Sequence, residues 1–329
     1  MLAVYLTGHG GLEKLVVRED IPRPKPGPGE VLVKVGGCAI NNSDIWTREG
    51  AYGTDADPNL KSGWRRGEPM KFPRIQGMDI AGRIAAVGEN VPDSRLGERV
   101  LVDHILYSDA PDGLDGCEII GSERDGGYAE YVVVPSSNAI GIDSGYSDAE
   151  LASFPTAYGT AESMLNRAGV AQGDSVLITG ASGGVGSALI QLTKLRGAKI
   201  IAVVGHGKED LARELGADHV ITRESRMEEA VCALRPKVQV DVVCDVVAGE
   251  TFPELLNILR HQGRYITVGA IGGPLVQMDL RTVYLKYLTI IGSTLWRQTE
   301  FLDVVSHIQS GRLKPLVWKT YGLRDIHAA

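Results

Sequence analysis

The chain has 329 residues, 43% apolar and 23% charged, and its 34 Lys and Arg against 41 Asp and Glu leave a formal charge of −7. At roughly 150 residues per domain this is two domains with cores of their own. The mildly acidic, globular composition excludes a generic nucleic-acid or anionic-membrane binder, which needs a basic surface. In chain order, the first half predicts short strands set apart by Gly and Pro: residues 31–35 after IPRPKPGPGE, then 80–87, 99–102 and 128–134. Residues 51–67, rich in Gly and charge, read as a long surface loop that could border a site.

From about residue 150 the pattern changes to strands alternating with helices. Strands are expected at 175–179, 199–204, 220–221, 238–243, 264–268 and 288–292, with helices at 185–196, stopped by Gly197, and ending at Gly216. Apolar strands in that alternation predict an α/β fold, a doubly wound parallel sheet covered on both faces, following a β-rich domain. The four cysteines, Cys38, Cys117, Cys232 and Cys244, lie far apart behind a start, MLAVYLTGHG, without a basic leader or apolar signal core; a reduced, cytoplasmic setting is expected. The longest charge-free stretch, 175–193, holds Gly180, Gly183, Gly184 and Gly186 and is too polar for a membrane span.

That stretch has another explanation. DSVLITGASGGVGSALIQLTKLRGAKIIAVV gives strand, glycine turn, helix and second strand, the setting a dinucleotide fingerprint requires. The turn is Ala181-Ser182-Gly183-Gly184-Val185-Gly186, with Ala in place of the first Gly of the strict pattern. Gly183 lets the backbone approach a pyrophosphate, Gly186 lets the helix pack on the strand, and free N–H groups at the helix start supply the positive pole. An NAD binder usually has Asp or Glu about twenty residues further on; this chain has Val203, Val204, Gly205, His206, Gly207 and Lys208. Lys208 can bond a 2′-phosphate, with His206 assisting when protonated, or can simply be a solvated lysine at a helix start; NADP(H) is expected over NAD(H).

With GEVLVKVGGCAINNSDIWTREGAY, PRIQGMDIAGRIAAVGENV, LGERVLV, GGYAEYVVVP and LGADHVI, almost the whole chain resembles the medium-chain dehydrogenase/reductases, which include zinc alcohol dehydrogenases and zinc-free quinone and enone reductases. The resemblance implies a GroES-like catalytic domain (1–150 and 297–329) and a Rossmann domain (151–296), with the cofactor in the cleft between them. It also aligns the zinc-ligand positions: Asn41 falls at the metal cysteine, Met78-Asp79 at a His-Glu pair, and Thr156 near the third ligand. Asn, Met and Thr cannot replace thiolate and imidazole, and the stretch 104–126 has only Cys117 where a structural zinc lobe needs four cysteines, so no metal is expected. His104, Cys117 and the acids of that stretch match no common site spacing.

Without a metal, alcohol oxidation loses its means of lowering the hydroxyl pKa, whereas reduction of an activated double bond needs only a hydride and hydrogen-bond donors for the developing enolate. The resemblance therefore implies a zinc-independent, NADPH-dependent oxidoreductase acting on a small carbonyl, enone or quinone. A metal-free alcohol or aldehyde dehydrogenase, or a cofactor-binding protein with little turnover, are the alternatives. Asn41 is the candidate donor, Asp44 helps to shape the site or pairs with Asp79 as a catalytic carboxylate, and Tyr52 can polarise an oxygen or relay a proton. Trp46 either lines the same pocket or is ordinary packing. Thr160, Val246, Val247, Gly269, Ala270, Ser293 and Leu295 are the further cofactor contacts the resemblance implies. The family usually returns to the first domain with a further strand, which LRDIHAA does not supply. The apolar run 284–291 predicts an edge strand able to pair with a second subunit, and a homodimer is expected.

Overall fold

The computed structural model describes residues 1–53, 57, 60–64 and 69–329, so the expected loop at 51–67 lies in part outside the described residues. The chain divides into two compact units, Met1–Thr156 with Val305–Ala329, and Ala157–Val304.

The first unit opens with an antiparallel hairpin of β1 (Ala3–Leu6) and β2 (Leu15–Arg18). There follow β3 (Glu30–Ala39), α1 (Asn42–Glu49), β4 (Arg74–Ile75), β5 (Asp79–Val87), β6 (Arg99–Val102), β7 (Ile105–Leu106), β8 (Glu118–Ile119), β9 (Tyr131–Pro135), β10 (Ala139–Gly141) and the short α2 (Asp148–Leu151). An antiparallel sheet of order β10-β6-β5-β3-β9 carries alternating core residues, among them Val31, Val33, Ile80, Ile84, Val100, Val102, Val132 and Val134. A second cluster, built on the hairpin, takes in Leu6, Leu15, Ile75, Tyr128 and, from the chain's last residues, Ile326. The strand expected at 128–134 begins only at Tyr131, because Tyr128 is drawn into that second cluster and its carbonyl accepts the Val4 N–H.

The second unit begins within α3 (Pro155–Arg167), whose first two residues belong to the first unit. Its elements are β11 (Ser175–Ile178), α4 (Gly184–Leu195), β12 (Lys199–Val204), α5 (Glu209–Leu215), β13 (His219–Thr222), α6 (Met227–Ala233), β14 (Val240–Asp245), α7 (Phe252–Ile258), β15 (Leu259–Thr267), α8 (Leu280–Leu285) and β16 (Thr289–Gly292). Then α9 (Gln298–Gln309) carries the chain back into the first unit. The strands form one parallel sheet of order β13-β12-β11-β14-β15-β16. Val176, Leu177, Ile178, Ile201, Val242 and Val243 are wholly buried, as strands covered on both faces require. Gly216 closes α5 in the left-handed region at φ 117°, the conformation that stops a helix there.

One sequence expectation is corrected. The apolar run 284–291 is not a single strand: Tyr284 and Leu285 end α8, Tyr287 turns the chain at φ 52°, and only 289–292 pair, with β15. Asp279, capping α8 by accepting the Arg281 N–H, starts a helix that apolar content alone does not distinguish from a strand. The residual strand does stand at the sheet edge. Among the described residues no helix is long and apolar enough to cross a membrane, and the four cysteines form no disulfide.

In the second unit α3 packs closely on the indole of Trp296, which is 1% exposed and stacks on Phe301 with ring centroids 6.3 Å apart. A Cβ at Gly159 would stand 2.6–2.8 Å from three indole carbons. Gly159→Ala should therefore destabilise the unit by about 1–3 kcal/mol despite the better helix propensity of alanine. Urea unfolding followed by Trp fluorescence measures this, and an unchanged midpoint would contradict the packing.

Candidate active site

In the second unit, β11 leads into Gly180, held at φ 55°, and the Gly183 N–H bonds back to the Gly180 carbonyl at 2.9 Å. Gly183 is the N-cap of α4 and gives it no side-chain cap, so the leading N–H groups of this twelve-residue helix have no intrahelical partner and point out at its positive end. Gly183 and Gly184 are exposed, while Ser182 and Val185 are half-buried beside them. A Cβ on Gly186 would overlap the Gly180 carbonyl oxygen, and this position sets the close approach of helix to strand. The residues present thus fit a pyrophosphate.

At the end of β12, His206 and Lys208 are exposed, and His206 Nδ1 lies 3.5 Å from Glu209 Oε1. The same corner holds Arg223: its N–H donates to the Val204 carbonyl at 2.8 Å, and a Cβ on Gly205 would stand 3.7 Å from its Nε. Sequence reasoning passed over Arg223 because it follows the next strand. The signal was the parallel register that sets Val204 beside Thr222.

The carboxyl end of β14 is fixed by Asp245, wholly buried and accepting from the Thr179 and Tyr265 hydroxyls (2.5 Å each) and from the Val247 and Ala248 N–H groups (2.9 and 3.1 Å). Thr179 Oγ1 also accepts the Val246 N–H. The N–H groups of Val246 and Val247 are therefore spent within the protein, leaving their side chains, which face Gly180, to meet a ligand. Beside them, Gly269 packs on the Val246 carbonyl and Ala270 accepts the Gly273 N–H. Past β16, Ser293 Oγ is buried without a hydrogen-bond partner, and the Leu295 carbonyl accepts from Ser163 on α3, the helix that also buries Thr160. An orphaned buried hydroxyl at the carboxyl end of a parallel sheet is a position for a ligand contact.

In the first unit, the aligned metal positions converge on one carboxylate. Asp79, 1% exposed, accepts from Asn41 Nδ2 (3.0 Å), from the Thr156 N–H (3.0 and 3.1 Å) and from Thr156 Oγ1 (2.7 Å), with His104 Nδ1 at 3.4 Å. Asp44, three residues into the helix that Asn41 caps, accepts the Asn41 N–H at 2.9 Å, and Gln76 holds its carbonyl. The other Asp44 oxygen, Oδ1, is buried without a hydrogen-bond partner, as is the Tyr128 hydroxyl. Trp46 and Tyr52 meet edge to face, with centroids 5.9 Å apart. Burial, and secondarily the charge of Asp44, pushes the Tyr52 phenol up to about 12, so it keeps its proton.

The chemistry of this donor set does not fit zinc. Amide, thioether and hydroxyl are weak ligands, and both oxygens of the Asp79 carboxylate are taken by Asn41 and Thr156. Among the described residues no group of three or more His, Cys, Asp or Glu is placed to hold a metal ion.

Burial raises the Asp44 carboxyl to about 7, opposed by the Asn41 N–H and reinforced by Asp79. The folded chain then binds this proton more tightly than the unfolded chain, so the stabilisation is complete below about pH 4 and is lost as pH rises to about 7. Relative to Asp44→Asn, which stays neutral and keeps an acceptor, wild-type stability should fall by about 1.4 kcal/mol per pH unit between roughly pH 4 and 7 and level off above. Urea titrations of both proteins across that range test this; parallel curves would contradict it.

Comparison with known proteins agrees with both halves. Residues 27–144 match the alcohol dehydrogenase GroES-like domain and residues 184–310 the zinc-binding dehydrogenase domain. A Sinorhizobium meliloti protein crystallised under an alcohol dehydrogenase designation is 51% identical, with a TM-score of 0.97 over 100% of this chain and 91% of that one. The acryloyl-coenzyme A reductase of Sulfurisphaera tokodaii is 30% identical over 94% of this chain and 90% of its own length. The human quinone oxidoreductase is 29% identical over 100% and 92%. A glycine turn leading into a helix on a parallel sheet, a curled antiparallel domain and these relatives together place the chain in the medium-chain dehydrogenase/reductase family, as an oxidoreductase that uses a nicotinamide cofactor.

Proposed function

We propose that the chain is a zinc-independent NADPH-dependent reductase of activated double bonds, with enones, enals or quinones as substrates. The observation that carries this reading is the donor set around Asp79: hydrogen-bond donors stand where the family's metal ligands align. Such a set can stabilise a developing enolate oxygen but cannot acidify an alcohol. The names of the acryloyl-coenzyme A reductase and quinone oxidoreductase relatives support the same substrate class.

When bound, the reduced nicotinamide supplies the hydride, which adds to the carbon β to the carbonyl while the π electrons move to oxygen. Asn41 uses one Nδ2 hydrogen on Asp79 and retains the second for that oxygen. Tyr52, whose phenol stays protonated well above neutral pH, or water returns the proton to the α carbon. Trp46 packs the Tyr52 ring in place. The α4 tip with Ser182, Gly183, Gly184, Val185 and Gly186 holds the pyrophosphate, and Thr160, Val246, Val247, Gly269, Ala270, Ser293 and Leu295 are the contacts toward the nicotinamide end.

Preference for NADP(H) rests on Lys208, His206 and Arg223 at the end of β12. The Arg223–Glu224 pair is 75% and 54% exposed, and so weak that a phosphate can replace Glu224. NADPH should bind at least about tenfold more tightly than NADH, and Lys208→Ala or Arg223→Ala should each cut NADPH affinity severalfold with NADH affinity unchanged. Cofactor titration combined with NADPH consumption across quinones, enones, aldehydes and alcohols, before and after chelator dialysis, tests the reading. Equal affinities, turnover of alcohols alone, tight binding without turnover, or activity that dialysis removes and zinc restores would each contradict it.

A homodimer is part of this proposal. The edge strand β16 and the segment before it expose Leu275, Tyr284, Leu285, Tyr287 and Ile290, apolar side chains that a second copy would cover. Sedimentation at micromolar concentration should give a dimer that Ile290→Lys shifts to monomer. A monomeric wild type would contradict it.

A further inference from the structure

We infer that Asp79 is the positioning residue of the first unit's site, a charged cross-link that orients the Asn41 amide and the Thr156 hydroxyl; this rests on the proposed reading of Asn41 as the donor to substrate. Asp79 joins segments 38 and 77 residues away in the sequence. An asparagine amide can turn over at little cost, exchanging its donor and acceptor ends. A carboxylate has acceptors only, so Asp79 admits one orientation, with Nδ2 toward itself at 3.0 Å. The second Nδ2 hydrogen is then aimed away from the carboxylate.

Thr156 fixes the carboxylate in turn. Its backbone N–H and its Oγ1 grip Asp79 from the same residue, so the carboxylate plane cannot rotate without breaking a bond in a 1%-exposed environment. The Asn41 backbone is held separately, its N–H on the Asp44 carboxylate and the Asp44 carbonyl on Gln76. Backbone and side chain of the donor are therefore anchored on two different carboxylates; the Asn41 side chain also takes part in the capping box of α1 with the Asp44 N–H, and Asp79 fixes which end of the amide donates.

Asp79→Asn is nearly isosteric but presents an NH2 group to donors. It should lower kcat about tenfold or more, with the KM for NADPH changed less than about twofold, and its crystal structure should show the Asn41 amide turned over or displaced. The double exchange Asp79→Asn with Asn41→Asp restores a donor–acceptor pair between the two positions while removing the donor to substrate. It should recover the thermal midpoint but not kcat. Should Asp79→Asn fail to fold, Thr156→Val, which deletes only the hydroxyl, should lower kcat severalfold, and Thr156→Ser should restore it. The inference is overturned by kcat within about twofold of wild type in Asp79→Asn or Thr156→Val, by an Asn41 amide unmoved in the variant crystal structure, or by a double exchange whose kcat recovers along with its midpoint. If the wild-type protein reduces nothing on the substrate panel, the proposed reaction fails; the orientation of Asn41 in the Asp79→Asn structure then decides the positioning role alone.

Discussion

A carboxylate taken out of water must have its acceptor positions met by donors, and in both units that requirement shapes the site. Asp245 gathers two hydroxyls and two N–H groups at the end of β14 and so determines the course of residues 246–248. Asp79 gathers an amide, a hydroxyl and an N–H at the start of β5 and so ties β5 to the residues before α1 and at the start of α3. Asp245 ends a strand whose central Val242 and Val243 are wholly buried, and Asp79 starts a strand beside the wholly buried Ile80 and Ala81, so the sheet core sets where each aspartate sits and the aspartate sets where the polar groups point. The order of causation runs from packing to hydrogen bonding to chemistry.

Much of the fold could be read directly. The strand 99–102 and the strand 199–204 fall where alternation and apolar runs predict them, and the helix expected at 185–196 forms as α4 over 184–195. These are local signals, a period or a glycine, and local signals survive folding. The site was legible only in outline. That Asn41, Met78 and Thr156 had lost metal-ligand character could be read from the resemblance, but their common partner could not, because Asp79 meets Thr156 across 77 residues of sequence. Arg223 escaped for the same reason, since its neighbour Gly205 lies across a parallel strand pair. The run 284–291 misled because apolar content carries no period over so short a segment, while the cap at Asp279 and the turn at Tyr287 decided the outcome.

On the proposed metal-free reading, hydrogen-bonding groups at the aligned ligand positions also alter what holds the first unit together. A metal ion would fix its ligands by strong bonds to a doubly charged centre; here the centre is singly charged, of opposite sign, and satisfied by N–H and O–H donors. An arrangement of that kind is more sensitive to the identity of each partner, because removing any one donor leaves a buried acceptor unmet. It also reverses the local polarity: groups beside it are rewarded for donating protons in hydrogen bonds, the property an enolate-stabilising site needs.

The two neighbouring carboxylates of the first unit divide their duties through this same accounting. Asp79 has donors on both oxygens, whereas Asp44 has a well-formed bond on one and leaves Oδ1 buried without a partner. Burial without full satisfaction, added to the repulsion of Asp79, is relieved by holding a proton, which is why the Asp44 carboxyl rises to about 7. Were the donors shared equally, both groups would compete for charge in one small volume, and neither the Asn41 backbone nor its amide would have a fixed acceptor. Concentrating the donors on Asp79 keeps a fixed acceptor beside the amide and leaves the second carboxyl able to take up a proton without disturbing it.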